Sequence, residues 1–147
     1  MCAYMSVAYS NTIAGFTSGG SYYHCLSYAN TGASSDGFAS TGQNGVYANC
    51  TSYGNGRDGF RGFANGSIAI NCVAEGNTGV GFGQTGVNTL LNCATFNNTG
   101  GASAFTGVHV CAIGLITGTA SFFTNAGAGD FSLNTTAGGG ALLRAAG

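Results

Sequence analysis

Five phenylalanines recur through the chain at nearly constant steps: Phe16, Phe38, Phe60, Phe82 and Phe105 are separated by 22, 22, 22 and 23 residues. A glycine precedes the first four and Ala104 precedes the fifth. Asparagines keep step at Asn11, Asn30, Asn55, Asn77 and Asn98. Cysteines do the same at Cys25, Cys50, Cys72 and Cys93, with Ser6 opening that file and Cys111 closing it. Asn49, Asn71 and Asn92 stand directly before three of these cysteines, and His24 takes that place one repeat earlier. The shared unit reads Asn-Cys-x-x-aromatic-x-Asn-loop-Gly-Phe-loop. A fixed period of this kind belongs to stacked arrays, in which each unit covers the next. A step of 22 residues suits one rung of three short strands and three turns, with rungs spaced at about 4.8 Å. Local alternation agrees, since Ile68 and Ile70 flank Ala69 while Cys72 and Ala74 flank Val73. The expected class is all-β: a three-sheet parallel solenoid of five to six rungs. Residues 1–111 supply the rungs, and 112–147 supply the last rung and a glycine-rich closing segment.

The Asn-Cys, Asn-Thr and Asp-Gly-Phe units, over about residues 2–111, resemble the right-handed parallel β-helix repeat proteins of the pectate-lyase-like superfamily. Secreted bacterial proteins and phage tail or fibre proteins are of this kind. The tail, Gly129-Asp130-Phe131-Ser132-Leu133-Asn134 and then Leu142-Leu143-Arg144, resembles their closing segments. The resemblance implies a location outside the cell, on its surface or on a virion. It is nearly silent about activity, because one fold hosts many functions. A leucine-rich repeat has a similar period but demands a leucine-dense consensus, and leucine is sparse here.

Charge removes several partners. The net charge is −1, only 5% of residues are charged, and lysine is absent. Nucleic-acid affinity comes from Lys and Arg on phosphates, so no nucleic-acid partner is expected. A polybasic membrane patch is missing for the same reason. The longest apolar stretch, Val108 to Ile116, is too short to span a bilayer. No basic segment followed by an apolar core opens the chain, so no signal peptide is visible.

The columns have expected roles. The phenylalanines point inward and stack, each ring worth roughly 2–3 kcal/mol of burial. Both asparagine columns are candidates for inward amide ladders that satisfy backbone groups. Asn49-Cys50-Thr51 and Asn65-Gly66-Ser67 also read as glycosylation sequons. The four internal cysteines form one inward file of free thiols, and no Cys-x-x-Cys pair points to zinc. Neither a metal nor a cofactor is expected. Tyr9, Tyr28, Tyr53 and Phe96 share an outward file, interrupted by Glu75, which would bind glycans or another chain. Tyr22 and Tyr47 read as a second, shorter outer pair.

Chemistry has few carriers. Asp36 and Asp58 occupy one repeat position, two residues before Phe38 and Phe60, with Arg57 and Arg61 close in sequence. Two carboxylates about 5 Å apart are what a retaining glycosidase needs. Asp-Gly is equally a turn pair whose Asp caps backbone. The paired Asp-Asp, Gly-His-Gly and Arg-Ile-Lys motifs of polygalacturonase-like β-helices are absent. His24 and His109 lie rungs apart with no nucleophile beside them, and read as wall residues. An ice-binding face would need paired threonine ranks. Thr12, Thr31, Thr78 and Thr99 form a single file that Gly56 breaks. The expectation is therefore a structural solenoid, a stem, fibre or adhesin module that self-associates through uncapped ends. The alternative is a carbohydrate-active or carbohydrate-binding β-helix.

Overall fold

The repeat folds as a coil of short parallel strands. The computed structural model describes residues 2–17, 19–39, 42, 44–63, 66–84, 88–101, 103–105 and 110–146, and the side chains at 62–63, 84, 103–105 and 110 lie outside that description. β1 (Cys2–Tyr4), β2 (Val7–Tyr9) and β3 (Ala14–Thr17) form the first rung. β4 (Ser21–Tyr23), β5 (Leu26–Tyr28) and β6 (Asp36–Ala39) form the second, and β7 (Val46–Ala48), β8 (Thr51–Tyr53) and β9 (Phe60–Phe63) the third. β10 (Ile68–Ile70), β11 (Val73–Glu75) and β12 (Phe82–Gln84) follow, then β13 (Asn88–Leu91), β14 (Ala94–Phe96) and β15 (Ser103–Phe105). β16 (Val110–Ile113) and β17 (Ile116–Thr117) begin a further rung. Every third strand pairs with the next in parallel. Sheet A is β1-β4-β7-β10-β13-β16, sheet B is β2-β5-β8-β11-β14-β17, and sheet C is β3-β6-β9-β12-β15.

The corners explain the strand length. Each three-residue strand of sheets A and B turns its middle residue inward and ends on one residue in the left-handed region. After sheet A these residues are Met5, His24, Asn49, Asn71, Asn92 and Gly114, with φ between 47° and 66°. After sheet B they are Ser10, Ala29, Gly54, Gly76 and Asn97. Asn and Gly tolerate this region better than other residues. Asn49, Asn71 and Asn92 therefore do not form the inward ladder expected of them. They are exposed corner residues, and Asn71 Nδ2 donates to Asn49 Oδ1 at 3.3 Å along the outside.

The other asparagine file is the inward ladder. Asn30 Oδ1 accepts from both the backbone N–H (2.9 Å) and Nδ2 (2.8 Å) of Asn11. Asn55 does this for Asn30, Asn77 for Asn55, and Asn98 for Asn77. Asn30, Asn55 and Asn77 are fully buried. Ser27 and Ser52 support the ladder, receiving the amides of Asn30 and Asn55 and donating to Gly37 O and Gly59 O.

Inside the coil, Phe16, Phe38, Phe60 and Phe82 stack with centroids 5.0, 4.8 and 5.0 Å apart and planes within 9°. Phe105 does not continue the backbone register. Ser103 lies opposite Phe82, and Phe105 lies opposite Gln84, two positions further along. Tyr22 and Tyr47 also point inward, against the outer placement expected from sequence. They are buried, stack at 5.3 Å, and meet Phe38 and Phe60 edge to face at 5.8 and 5.9 Å. The reason is phase: in Ser21-Tyr22-Tyr23 the corner at His24 makes the middle residue the inward one. The glycines before Phe38 and Phe60 keep φ out of the left-handed region and serve another need. A Cβ on Gly37 would lie 2.1 Å from Ser52 Oγ and 2.6 Å from Gly59 O. They make room for the serine and asparagine ladder.

Cys25, Cys50, Cys72 and Cys93 form the buried file, all as free thiols. Burial pushes the Cys25 and Cys72 thiols up, so both stay protonated at neutral pH. Cys111 does not close this file. Leu115 packs there, directly before Ile116, which lies opposite Ala94.

Residues beyond 117 leave the coil. β18 (Phe123–Asn125) and β19 (Asp130–Leu133) pair antiparallel, and α1 (Gly140–Ala146) follows. Asn134 ties this segment together: its Nδ2 donates to Ser121 O and Phe123 O, and its Oδ1 accepts from Thr136 N and Gly140 N.

Candidate functional site

The acidic pair sits where the turns before sheet C enter β6 and β9. Asp36 is fully buried. Its Oδ1 accepts from Arg57 Nε at 2.7 Å and from the backbone N–H of Asp58 at 3.1 Å, and its Oδ2 meets Arg57 Nη2. Asp58 Oδ1 accepts from Val80 N at 2.9 Å, and Asp58 Oδ2 lies 3.7 Å from Arg61 Nη1. Each aspartate thus reaches up one rung and caps the backbone of the equivalent residue there. Asp36 holds the Arg57 guanidinium above its ordinary range, chiefly through their hydrogen bond. The structure does bring Asp36, Asp58, Arg57 and Arg61 together. What it builds is a capped turn locked by an ion pair. A general acid or nucleophile has to exchange a proton or bond with substrate, and Asp36 has no face toward solvent.

The aromatic strip stands on the outward side of sheet B, with Tyr9, Tyr28, Tyr53, Glu75 and Phe96 in register. Most of it is not open. The chain's own closing segment lies across it. Phe131 meets Tyr28 at 5.2 Å and Tyr53 at 5.7 Å, both edge to face. Phe123 meets Tyr53 at 6.3 Å, and Phe122 meets Phe96 at 6.1 Å. Phe122 and Phe123 are buried in this contact. The surface predicted to bind a glycan at Tyr28, Tyr53 and Phe96 is an internal interface. Tyr9 alone of the file is exposed, stacked on Tyr28 at 5.3 Å.

Glu75 is the centre of that interface. It is buried, and it accepts from Ser121 Oγ at 2.6 Å and Phe122 N at 2.9 Å. Burial pushes its carboxyl up, while the two hydrogen bonds oppose the shift. Sequence reasoning saw Glu75 as a gap in an aromatic file. Its partners lie 46 and 47 residues away, with no repeat to announce them.

A groove of about 440 Å³ opens beside the same interface, between Val73, Ala94 and Ile116 of sheet B and Leu133, Leu143 and Ala146 of the closing segment. Asn71 and Asn92 edge it. No group of three His, Cys, Asp or Glu side chains that could hold a metal occurs among the described residues. His24 is an exposed corner residue in edge contact with Tyr4 at 5.6 Å. His109 and the sequon at Asn65 lie outside the described residues. Thr12, Thr31, Thr78 and Thr99 are exposed, in the single file that Gly56 interrupts. No helix among the described residues is long and apolar enough to cross a membrane.

One arrangement escaped the sequence entirely. Cys2 and Cys111 are exposed. Both face outward in one file of sheet A: Cys2, Ser21, Val46, Ile68, Thr89 and Cys111 are successive register partners. No protein-family model matches the chain, and neither a curated protein nor a solved structure matches it.

Proposed function

We propose that this chain is a non-enzymatic structural solenoid, a stem or fibre module that assembles with further copies through its ends. The observation that carries this is the edge of sheet A at β16. Cys111, Ala112 and Ile113 of that strand are exposed, Ile113 to 58%, although the chain continues past them and its closing segment packs on the tyrosines of sheet B. A further rung on this edge would cover those side chains and pair the strand, which otherwise invites association. Kinship with the pectate-lyase-like β-helices, and a place outside a cell or on a virion, are part of this reading. They rest on the Asn-Cys and Asp-Gly-Phe units and on the scarcity of charge. The glycan-active alternative draws less support, because Arg57 and backbone occupy Asp36 while the closing segment occupies Tyr28 and Tyr53.

Light scattering and electron microscopy across a concentration series test the proposal. Rods whose length grows with concentration are expected. A monodisperse monomer that depolymerises acidic glycans, and loses that activity in Asp58→Asn, would overturn it.

A further inference from the structure

We propose that the buried cysteine file is a metal site for the mercuric ion, a soft divalent cation, held in line between sulfurs of successive rungs, with Cys25–Cys50 and Cys72–Cys93 as its two pairs.

The sulfurs repeat like the rungs that carry them. Cys50 Sγ lies 3.4 Å from both Tyr22 O and Ala48 O. Cys72 Sγ lies 3.4 Å from Tyr47 O and Ile70 O, and Cys93 Sγ lies 3.5 Å from Ala69 O and Leu91 O. Those carbonyls belong to register partners, Tyr22–Tyr47–Ala69 and Ala48–Ile70–Leu91. Cys25 Sγ makes the matching contact with Tyr23 O at 3.4 Å. One side-chain placement is therefore copied from rung to rung, and neighbouring sulfurs stand one rung apart. The phenylalanines stacked in the same interior measure that step at 4.8 to 5.0 Å.

Two metal–sulfur bonds of about 2.3 Å set in line span about 4.6 Å, close to the rung step. An ion of this kind fills the gap between two sulfurs and replaces their protons, so no side chain has to leave the core. A straight file offers two ligands to any point between rungs, and no three His, Cys, Asp or Glu side chains converge among the described residues. That is no site for zinc, which takes four ligands. It suits a soft ion satisfied by two thiolates. Charge narrows the choice. A divalent ion and two thiolates are neutral together. A monovalent ion leaves one negative charge where Cys50, Cys72 and Cys93 are fully buried, beside carbonyl oxygens that repel it.

Each binding event breaks two S–H bonds, forms two metal–sulfur bonds and sends two protons to solvent, with no change of oxidation state. Each cysteine serves one ion, so the full file takes two ions and releases four protons. Entry needs local opening of the coil, which makes binding slow.

The test titrates the full chain carrying Cys2→Ser and Cys111→Ser with mercuric chloride, because those exposed thiols compete for the ion. Native mass spectrometry should show two mercury atoms gained and four hydrogens lost per chain. X-ray absorption should show two sulfur neighbours per ion, and circular dichroism should keep its β signal. In that background, Cys25→Ala with Cys50→Ala leaves the neighbours Cys72 and Cys93 and should hold one ion between two sulfurs. Cys50→Ala with Cys93→Ala leaves Cys25 and Cys72 two rungs apart, about 9.6 Å, and should show no ion with two sulfur neighbours. Equal two-sulfur binding by both pairs of substitutions would overturn the proposal, as would three or four sulfurs around the ion or loss of the β signal on binding. Should either of those variants fail to fold, the four-thiol chain decides: two sulfurs per ion with the β signal retained upholds the site, and any other result overturns it.

Discussion

Asn55 bonds to three rungs at once. Its Oδ1 accepts from Asn30 on one side, and its Nδ2 is within reach of Ser27 O, Ser52 Oγ and Asn77 Oδ1. Replacing it with alanine leaves the Asn30 backbone N–H and one of its two amide hydrogens without their partner in a fully buried site, since the other still reaches Ser27 Oγ, and each unmade buried bond costs about 1–3 kcal/mol. Asn55→Ala should therefore lower unfolding stability by more than about 2 kcal/mol in denaturant titration. The exposed Asn71→Ala should change it far less, and a similar loss in both would refute the division between ladder and corner asparagines. The left-handed corners allow the opposite experiment. Ala29 holds a φ of 51° that costs a non-glycine residue energy, on the order of 1 kcal/mol. Ala29→Gly should raise the unfolding midpoint, whereas Gly37→Ala should lower stability by about 1–3 kcal/mol through overpacking against Ser52.

At the scale of elements, sheet B and the closing segment meet around Glu75, which makes their contact depend on pH. A carboxyl whose pKa is raised by burial binds its proton more tightly in the docked state than when the segment is free. Docking therefore gains from acidification, and that gain is lost as pH rises through the raised pKa. Protection factors at residues 121–134, taken against the intrinsic exchange rate at each pH, should be higher just above the ordinary carboxylate range than at neutral pH. Glu75→Gln should flatten the dependence, and an unchanged profile in that variant would remove Glu75 as its source. This interface also marks where sequence stops being readable. Strands, rung period, the Phe16 to Phe82 and Cys25 to Cys93 files and the Asn11 to Asn98 ladder were legible because each rung repeats the same inward demand, whereas Phe105, Cys111 and the corner asparagines fall outside those files. Tyr22 was misread because a three-residue strand has no phase of its own, and a one-residue shift exchanges inside for outside. The phase is set by the corner residue, which announces itself as Asn or Gly in some rungs and hides as His24 or Ala29 in others. The docking of Phe122, Phe123 and Phe131 on the tyrosines had no periodic signal, and so the strip read as an open surface. The acidic pair was legible as a pair, but its neutralisation by Arg57 from the next rung was not.

For the whole molecule, a coil of this kind is nearly one-dimensional: each rung touches only its neighbours, and stability is close to a sum of rung and interface terms. The closing segment breaks that rule. Through Phe131 it grips Tyr28 and Tyr53, through Ser121 and Phe122 it grips Glu75, and through Phe122 it meets Phe96, so one segment spans four successive rungs of sheet B. A lateral strut of this kind couples rungs that stacking alone leaves to open one by one from an end. The first rung lies beyond it: Tyr9 is exposed and contacts only Tyr28 among the described rings. Exchange should therefore be fastest in β1 and β2, slow and mutually correlated from β5 to β14, and intermediate in β18 and β19. Phe131→Ala removes the ring that joins two rungs without disturbing any inward file. It should speed exchange in β5 and β8 together, leave the buried asparagine ladder near Asn77 protected, and broaden the thermal unfolding transition as rungs lose their common brace. If β5 and β8 keep their protection while only β18 and β19 open, the segment is a passive cover and the coil holds its rungs together by stacking alone.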